Sequence, residues 1–227
     1  MTQNTRKIIK RERNLHKETS LWNPLYLQLK FAIKTVEKYF KNINSGIICD
    51  FGCGDKPYEV FCDKNVRYIG IDIDEENDHA DVFASVCNKI PISDEFADYC
   101  VSFYVLEHVE EPPKKISEMY RILKTNGKIF MLVPLYWEEH EKPYDFFRFT
   151  RFGIEYLLKN AGFKEIDITP INGSFSIIGI NIARQINDIY LLKPLIPLIN
   201  LFFYYLDKKF THKNSSNVMT YVVIAKK

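Results

Sequence analysis

Residues 47–54 read Ile47-Ile48-Cys49-Asp50-Phe51-Gly52-Cys53-Gly54, and eighteen residues after Gly54 a second apolar run ends in an acid, Ile69-Gly70-Ile71-Asp72. An apolar strand that breaks into a Gly-x-Gly turn lets a ligand lie against bare backbone, because glycine lacks a Cβ and tolerates unusual φ. An acid closing the next strand can accept both hydroxyls of a ribose. Together the two segments describe a nucleoside-binding site.

The dinucleotide fingerprint requires a third glycine, so that a helix N-terminus can hold a pyrophosphate. Here Pro57 stands at that position, and Asp50 lies two residues before the first glycine. A carboxylate there repels a pyrophosphate but suits a ligand that carries an ammonium or sulfonium group, which favours S-adenosylmethionine over NAD. The chain resembles the class I, seven-stranded S-adenosylmethionine-dependent methyltransferases. Within them it is most similar to the type 11 branch, through the Asp-x-Gly-Cys-Gly loop and the strings Leu106-Glu107-His108-Val109 and Glu118-Met119-Tyr120-Arg121-Ile122-Leu123-Lys124. The resemblance covers roughly residues 45–172 and the final strand.

The rest of the chain is compatible with that fold. Short apolar runs at 47–51, 67–72, 80–84, 97–104 and 128–133 suit strands buried on both faces of a parallel sheet. Helical patterns separate several of them. After Pro112-Pro113, Ile116, Met119, Tyr120 and Leu123 form a stripe before Gly127. Asn23-Pro24 reads as N-cap and N1 of an N-terminal helix with Leu25, Leu29, Ala32, Ile33, Val36 and Phe40 at helical spacing. A later helix spans about Arg151 to Ala161, with Thr150 as cap and Gly162 beyond its end. Segments 163–169 and 218–225 read as the last two strands. The expected architecture is one doubly wound α/β domain over residues 23–227 with a seven-stranded mixed sheet, its last strand antiparallel.

Composition sets outer bounds. With 227 residues, 46% hydrophobic and 26% charged, the chain has length for one domain and a proper core. The net charge of +2 is uneven: residues 1–18 hold six Lys/Arg and two Glu. Residues 1–22 therefore read as a basic arm, solvated or in contact with anionic lipid or nucleic acid. No apolar segment follows it as in a signal peptide, so a cytoplasmic location is expected. The five cysteines fit that compartment, with Cys49 and Cys100 as small core residues. The iron–sulfur string CxxxCxxC started by Cys49 and Cys53 would need a cysteine at Lys56, and no Cys/His group has zinc spacing, so no metal is expected.

About forty residues, 173–212, stand where this fold needs only a hairpin. Their apolar stretch, Leu191 to Leu206, is too short to span a bilayer and carries Lys193, Pro194 and Pro197. It reads as a pair of short helices over the substrate side, or as an interfacial patch with Lys208, Lys209, His212 and Lys213 set for anionic head groups, giving peripheral membrane contact through 190–213.

The resemblance implies roles. Gly52, Cys53 and Gly54 would line the methionine end of the cofactor with Asp50 near its ammonium, Asp72 would hold the ribose, and Ile73 would flank the adenine. Phe103 and Tyr104 would sit beside the cofactor. Many relatives place an acid before the Leu-Pro after the third strand. Residues 84–91 contain none, which leaves Ser85 or backbone groups to read the adenine. For the acceptor, His108 is one candidate base. The loop from Pro134 to Thr150 offers His140 as the first candidate, with Tyr144, Asp145 and Arg148 as partners. It resembles a string in a sub-branch linked to surface-polysaccharide or lipid-linked glycan pathways. The structural alternative is an Asp145–Arg148 pair capping the next helix. The Asn/Asp-Pro-Pro-aromatic string of amino-methylating DNA enzymes is replaced by Ser102-Phe103-Tyr104-Val105, so nucleic acid is not an expected substrate. The expected activity is methylation of a small-molecule or lipid-linked acceptor, with S-adenosylhomocysteine as product. A non-catalytic cofactor-binding regulator remains the alternative, and the oligomeric state stays open.

Overall fold

The computed structural model describes residues 19–84 and 89–227. Most of the basic arm, and Ser85, lie outside them. In chain order the elements are α1 (Tyr26–Phe40), β1 (Gly46–Phe51), β2 (Val66–Asp72), β3 (Val82–Phe83), β4 (Ala97–Phe103), α2 (Pro112–Ile122), β5 (Leu123–Pro134), α3 (Arg151–Ala161), β6 (Lys164–Gly173), α4 (Ser174–Asn187), α5 (Ile196–Phe210) and β7 (Val218–Lys226).

The sheet runs β3-β2-β1-β4-β5-β7-β6. β1 pairs in parallel with β2 on one side and β4 on the other, β2 with β3, and β4 with β5. With the last strands antiparallel, this is the expected doubly wound, seven-stranded mixed sheet. The chain winds outward from β1 to β3 and then returns to β4, so the order reverses between β1 and β4. Ligands in open α/β sheets bind at the carboxyl ends of the strands at such a reversal. The Gly52–Gly54 turn follows β1 at that place.

Two compact units divide the chain. One comprises Val36–Pro134, Phe146–Thr169 and Val222–Lys227. Its core is aromatic on one face of the sheet: Tyr39 stacks on Phe130 at 3.9 Å between centroids, and Phe40 meets Tyr68, Phe103 and Phe130 edge-on or tilted. Helix α2 starts at the prolines, whose missing N–H groups cost nothing in a first turn, and buries Ile116, Met119 and Ile122. β5 then begins at Leu123 with no linker. Ala97 faces Leu123 but Tyr99 faces Lys128, so the residues between bulge out, with Asn126 at φ 68°. Helix α3 is capped as the sequence predicts: the Thr150 hydroxyl accepts the Gly153 amide at 3.0 Å, and Gly162 is left-handed at φ 103°.

The other unit holds the described chain through Thr35, Leu135–Asp145 and Pro170–Tyr221. Leu25, Leu27, Leu29, Ile180, Tyr204 and Met219 form its buried core. The inserted segment is larger than a pair of short helices, with 14 residues in α4 and 15 in α5 joined by a 3-10 turn over Tyr190–Leu195. Polar ties fix it. The Asn200 amide donates to the Leu21 and Asn23 carbonyls, and Lys34 donates to the Tyr204 hydroxyl at 2.6 Å. The fully buried Asp207 carboxylate accepts the Gly173 and Ser176 amides and so satisfies the first turn of α4. Among the described residues, no helix is long and apolar enough to cross a membrane.

Candidate active site

After Phe51 the chain leaves the sheet in a tight turn, with Gly52 at φ 75° and Gly54 at φ 51°. The Gly52 and Cys53 amides both donate to the Ile71 carbonyl, which holds the turn against the end of β2. The two glycines serve different ends. A Cβ on Gly52 would lie 2.5 Å from the Val105 side chain, so Gly52 admits the loop after β4. A Cβ on Gly54 would meet nothing within 4 Å, so this is the glycine whose face is open. Cys53, buried between them, has its thiol pushed up to about 12, first by burial and then by Asp50 and Asp72. It is a neutral filler there.

Asp50, next to last in β1, is 2% exposed. Its Oδ2 accepts the Tyr68 hydroxyl at 2.6 Å, and among the described residues its Oδ1 has no partner. Burial raises this carboxyl to about 7, against the opposing pull of the Tyr68 hydrogen bond. A buried acceptor without a donor costs about 1–3 kcal/mol. Such an oxygen beside an open glycine turn suits a ligand bearing a cationic donor, as the ammonium of S-adenosylmethionine does.

Asp72 is buried and already engaged. Its Oδ1 accepts the Ile73 and Asp74 amides at 2.7 and 3.1 Å, and its Oδ2 accepts the Gly54 amide at 3.1 Å and the Asn77 side-chain amide at 3.0 Å. Asn77 also donates to the Gly54 carbonyl. A ribose hydroxyl reaching Oδ2 must therefore replace Asn77. Ile73 is 57% exposed next to this acid, as an adenine-flanking residue would be. Phe103 ends β4 with its ring edge-on to Tyr58 at 4.8 Å between centroids. Tyr104 follows in the left-handed region at φ 56°, a strained conformation for a bulky residue of the kind that gathers at functional sites.

Leu106–His108 forms a 3-10 turn after β4. The Glu107 carbonyl accepts the Phe146 and Phe147 amides, so this string ties two loops together, and His108 is half-buried on it. In the loop after β5, the Asp145 carboxylate accepts the His140 amide at 3.0 Å and lies 3.3 Å from His140 Nδ1. The Glu138 carbonyl is 3.1 Å from the same nitrogen. With two acceptors at Nδ1, the proton belongs there. That is how a carboxylate orients a general base. Tyr144 closes a turn through its amide on the Glu141 carbonyl, and Arg148 donates to the Phe147 carbonyl. Helix α3 is capped by Thr150, so Asp145 is not its cap.

The structure thus gathers Asp50, Gly52, Cys53, Gly54 and Asp72 around one turn, and His140 and Asp145 into one pair. Sequence reasoning missed Tyr68, Asn77 and Val105. Tyr68 lies two positions before Gly70, the register partner of Asp50, and that parallel register has no local signal. Asn77 sits in an ordinary polar loop.

A methyltransferase-domain model matches residues 26–167. Uncharacterized methyltransferases of Mycobacterium leprae strains Br4923 and TN are each 32% identical over 96 residues, 37% of this chain. The match spans only 36% of the length of those curated relatives. Among solved structures, a SAM-dependent methyltransferase of Thermotoga maritima, a possible histamine N-methyltransferase, is similar over 98% of this chain and 97% of its own, with TM-score 0.59 and 16% identity. Phosphoethanolamine N-methyltransferase 2 of Haemonchus contortus, in complex with S-adenosyl-L-methionine, is similar over 86% of this chain and 52% of its own, with TM-score 0.57 and 18% identity. The glycine turn after β1, the acid after β2 and the reversed strand order lie within the stretch that the domain model covers, and the chain belongs to the methyltransferase-domain family.

Proposed function

We propose that the protein is a type 11 S-adenosylmethionine-dependent methyltransferase acting on a small-molecule or lipid- or glycan-linked acceptor. The observation that carries this reading is the buried Asp50 oxygen that has no donor among the described residues, at the end of the strand that leads into the open Gly54 turn. Asp50 takes the ammonium, the Gly52–Gly54 backbone lines the methionine end, Asp72 exchanges Asn77 for the ribose, and Ile73 flanks the adenine. Phe103 and Tyr104 supply apolar walls. The sulfonium brings an already activated methyl group, so the protein chiefly positions and excludes water. For an acceptor that must lose a proton, a hydroxyl or an activated carbon, the pair that fits the role of base is His140 oriented by Asp145, with Tyr144 and Arg148 as acceptor-side partners and His108 as the alternative base.

Calorimetric titration of S-adenosylhomocysteine into the wild type and Asp72→Ala tests the cofactor assignment. Micromolar binding that weakens roughly tenfold to hundredfold in the variant is expected, the scale of one lost polar contact in a buried site. Failure of the wild type to bind overturns the reading.

A further inference from the structure

Helix α5 is apolar on two faces. Its inner face buries Ile196, Asn200, Tyr204 and Asp207. Its outer face continues from the preceding 3-10 turn as Leu191, Leu195, Leu198, Phe202 and Tyr205, at intervals of four, three, four and three residues. All five are between 44% and 84% exposed. A contiguous apolar stripe of this kind on a surface marks an interaction site.

The charge around the stripe decides what covers it. Between Ile189 and Lys213 the sequence contains one acid, Asp207, and that carboxylate is turned inward to cap α4. The exposed ionisable groups of the segment are Lys193 near one end of the stripe and Lys208, Lys209, His212 and Lys213 at the other. A second copy laid stripe on stripe would set this cationic segment against itself, with the exposed Asp188 before the turn as its nearest acid in sequence. An anionic bilayer surface offers matching partners, negative head groups for Lys193, Lys208 and Lys209 and an acyl boundary for the leucines and Phe202. Tyr190, 88% exposed, and Tyr205 have the apolar body and polar tip that suit the head-group level. The helix is too short to cross and lies flat instead, at about 22 Å for 15 residues.

We infer that the outer face of α5, with the turn before it, docks on an anionic lipid surface. The inference goes beyond the proposed methyl transfer and stands whether or not that reading holds. Co-sedimentation of the full chain with vesicles tests it, comparing phosphatidylcholine alone with phosphatidylcholine mixed with phosphatidylglycerol. Point variants serve better than deletion, since the inner face of α5 is core. Binding to the mixed vesicles is expected, at least tenfold stronger than to neutral ones and weakened by salt. Leu198→Glu/Phe202→Glu should abolish it. Lys208→Glu/Lys209→Glu should weaken it roughly twenty-five-fold or more, at about fivefold for each cation lost near the surface. Circular dichroism confirms that each variant is folded, and an unfolded leucine/phenylalanine variant leaves the lysine variant and the salt series to decide. Absence of binding to the mixed vesicles, or equal binding to both compositions, overturns the inference. So does a wild-type dimer that Leu198→Glu/Phe202→Glu converts to monomer.

Discussion

Lowering the pH should weaken S-adenosylhomocysteine binding through a single buried carboxyl. Asp50 titrates near 7 in the free protein, against 3.8 for an ordinary aspartate, because it is enclosed with only the Tyr68 hydroxyl as donor. A ligand ammonium at Oδ1 requires the ionised form, so apparent affinity follows the ionised fraction. With a value of about 7, that fraction is roughly three quarters at pH 7.5 and about 3% at pH 5.5. The ratio is a loss of about twentyfold, or about 2 kcal/mol. Calorimetry in two buffers of different ionisation enthalpy should record about one proton released per ligand bound at pH 5.5 and about a quarter of one at pH 7.5. Asp50→Asn should bind more weakly at pH 7.5 and lose the slope. The unliganded fold carries the matching signature. A carboxyl raised above its unfolded value stabilises the fold fully below about 3.8, and that contribution is lost as pH rises through about 7. The variant should therefore melt several degrees higher than the wild type at pH 8. An affinity that stays flat between pH 7.5 and 5.5, or a slope that survives in Asp50→Asn, refutes the assignment of Asp50 to the ammonium.

The remaining predictions concern the base and the scaffold. Asp145→Asn keeps the shape of the loop but removes the charge beside His140 Nδ1, leaving the Glu138 carbonyl as its firm acceptor. Once an acceptor is in hand, kcat should fall about 10²–10⁴-fold with a shifted pH profile, while S-adenosylhomocysteine affinity stays within about twofold. A variant with unchanged kcat would remove His140 as base. Thr150→Ala takes away the acceptor for the Gly153 amide and should cost about 1 kcal/mol. Thermal melting should read that as a drop of about 2–4 °C for a chain of this size, and an unchanged midpoint would mean that the α3 cap is redundant.

Much of this fold is legible along the chain because its signals are local. Strand runs such as 47–51 and 67–72 are mostly apolar, as double-sided burial demands, and Thr150 and Gly162 mark the ends of α3 by their own chemistry. Helix α4 is not legible. Ile177, Ile178, Ile180 and Ile182 are β-branched residues that favour strands, and the segment becomes helical where Leu27 and Phe203 close on Gly179 and Asp207 caps its start. The start of β5 is hidden for a related reason, since Leu123 continues the apolar stripe of α2 and only the pairing with Ala97 makes it a strand. In the site, the glycine turn and both acids announce themselves. What the pattern does not carry is the state of those acids. Asp50 depends on Tyr68 across a parallel register, and Asp72 on Asn77 five residues later in a polar loop.

The ties between the first described helix and the insertion have a consequence for synthesis. Lys34 waits for Tyr204, 170 residues later, and Leu21 and Asn23 wait for Asn200 across 179 and 177 residues. Leu25, Leu27 and Leu29 have their buried neighbours in Ile180, Tyr204 and Met219. At about 5–20 residues per second, the interval between making the two halves of this core is on the order of ten to thirty seconds. For that time the nascent chain holds an apolar helical face with nothing to cover it, while the segments of the sheet unit through Pro134 emerge complete. The contacts that close last are the most distant in sequence, so they should set the folding rate of this unit. Leu25, Leu27 and Leu29 are thus the part of this core that is made first and covered last.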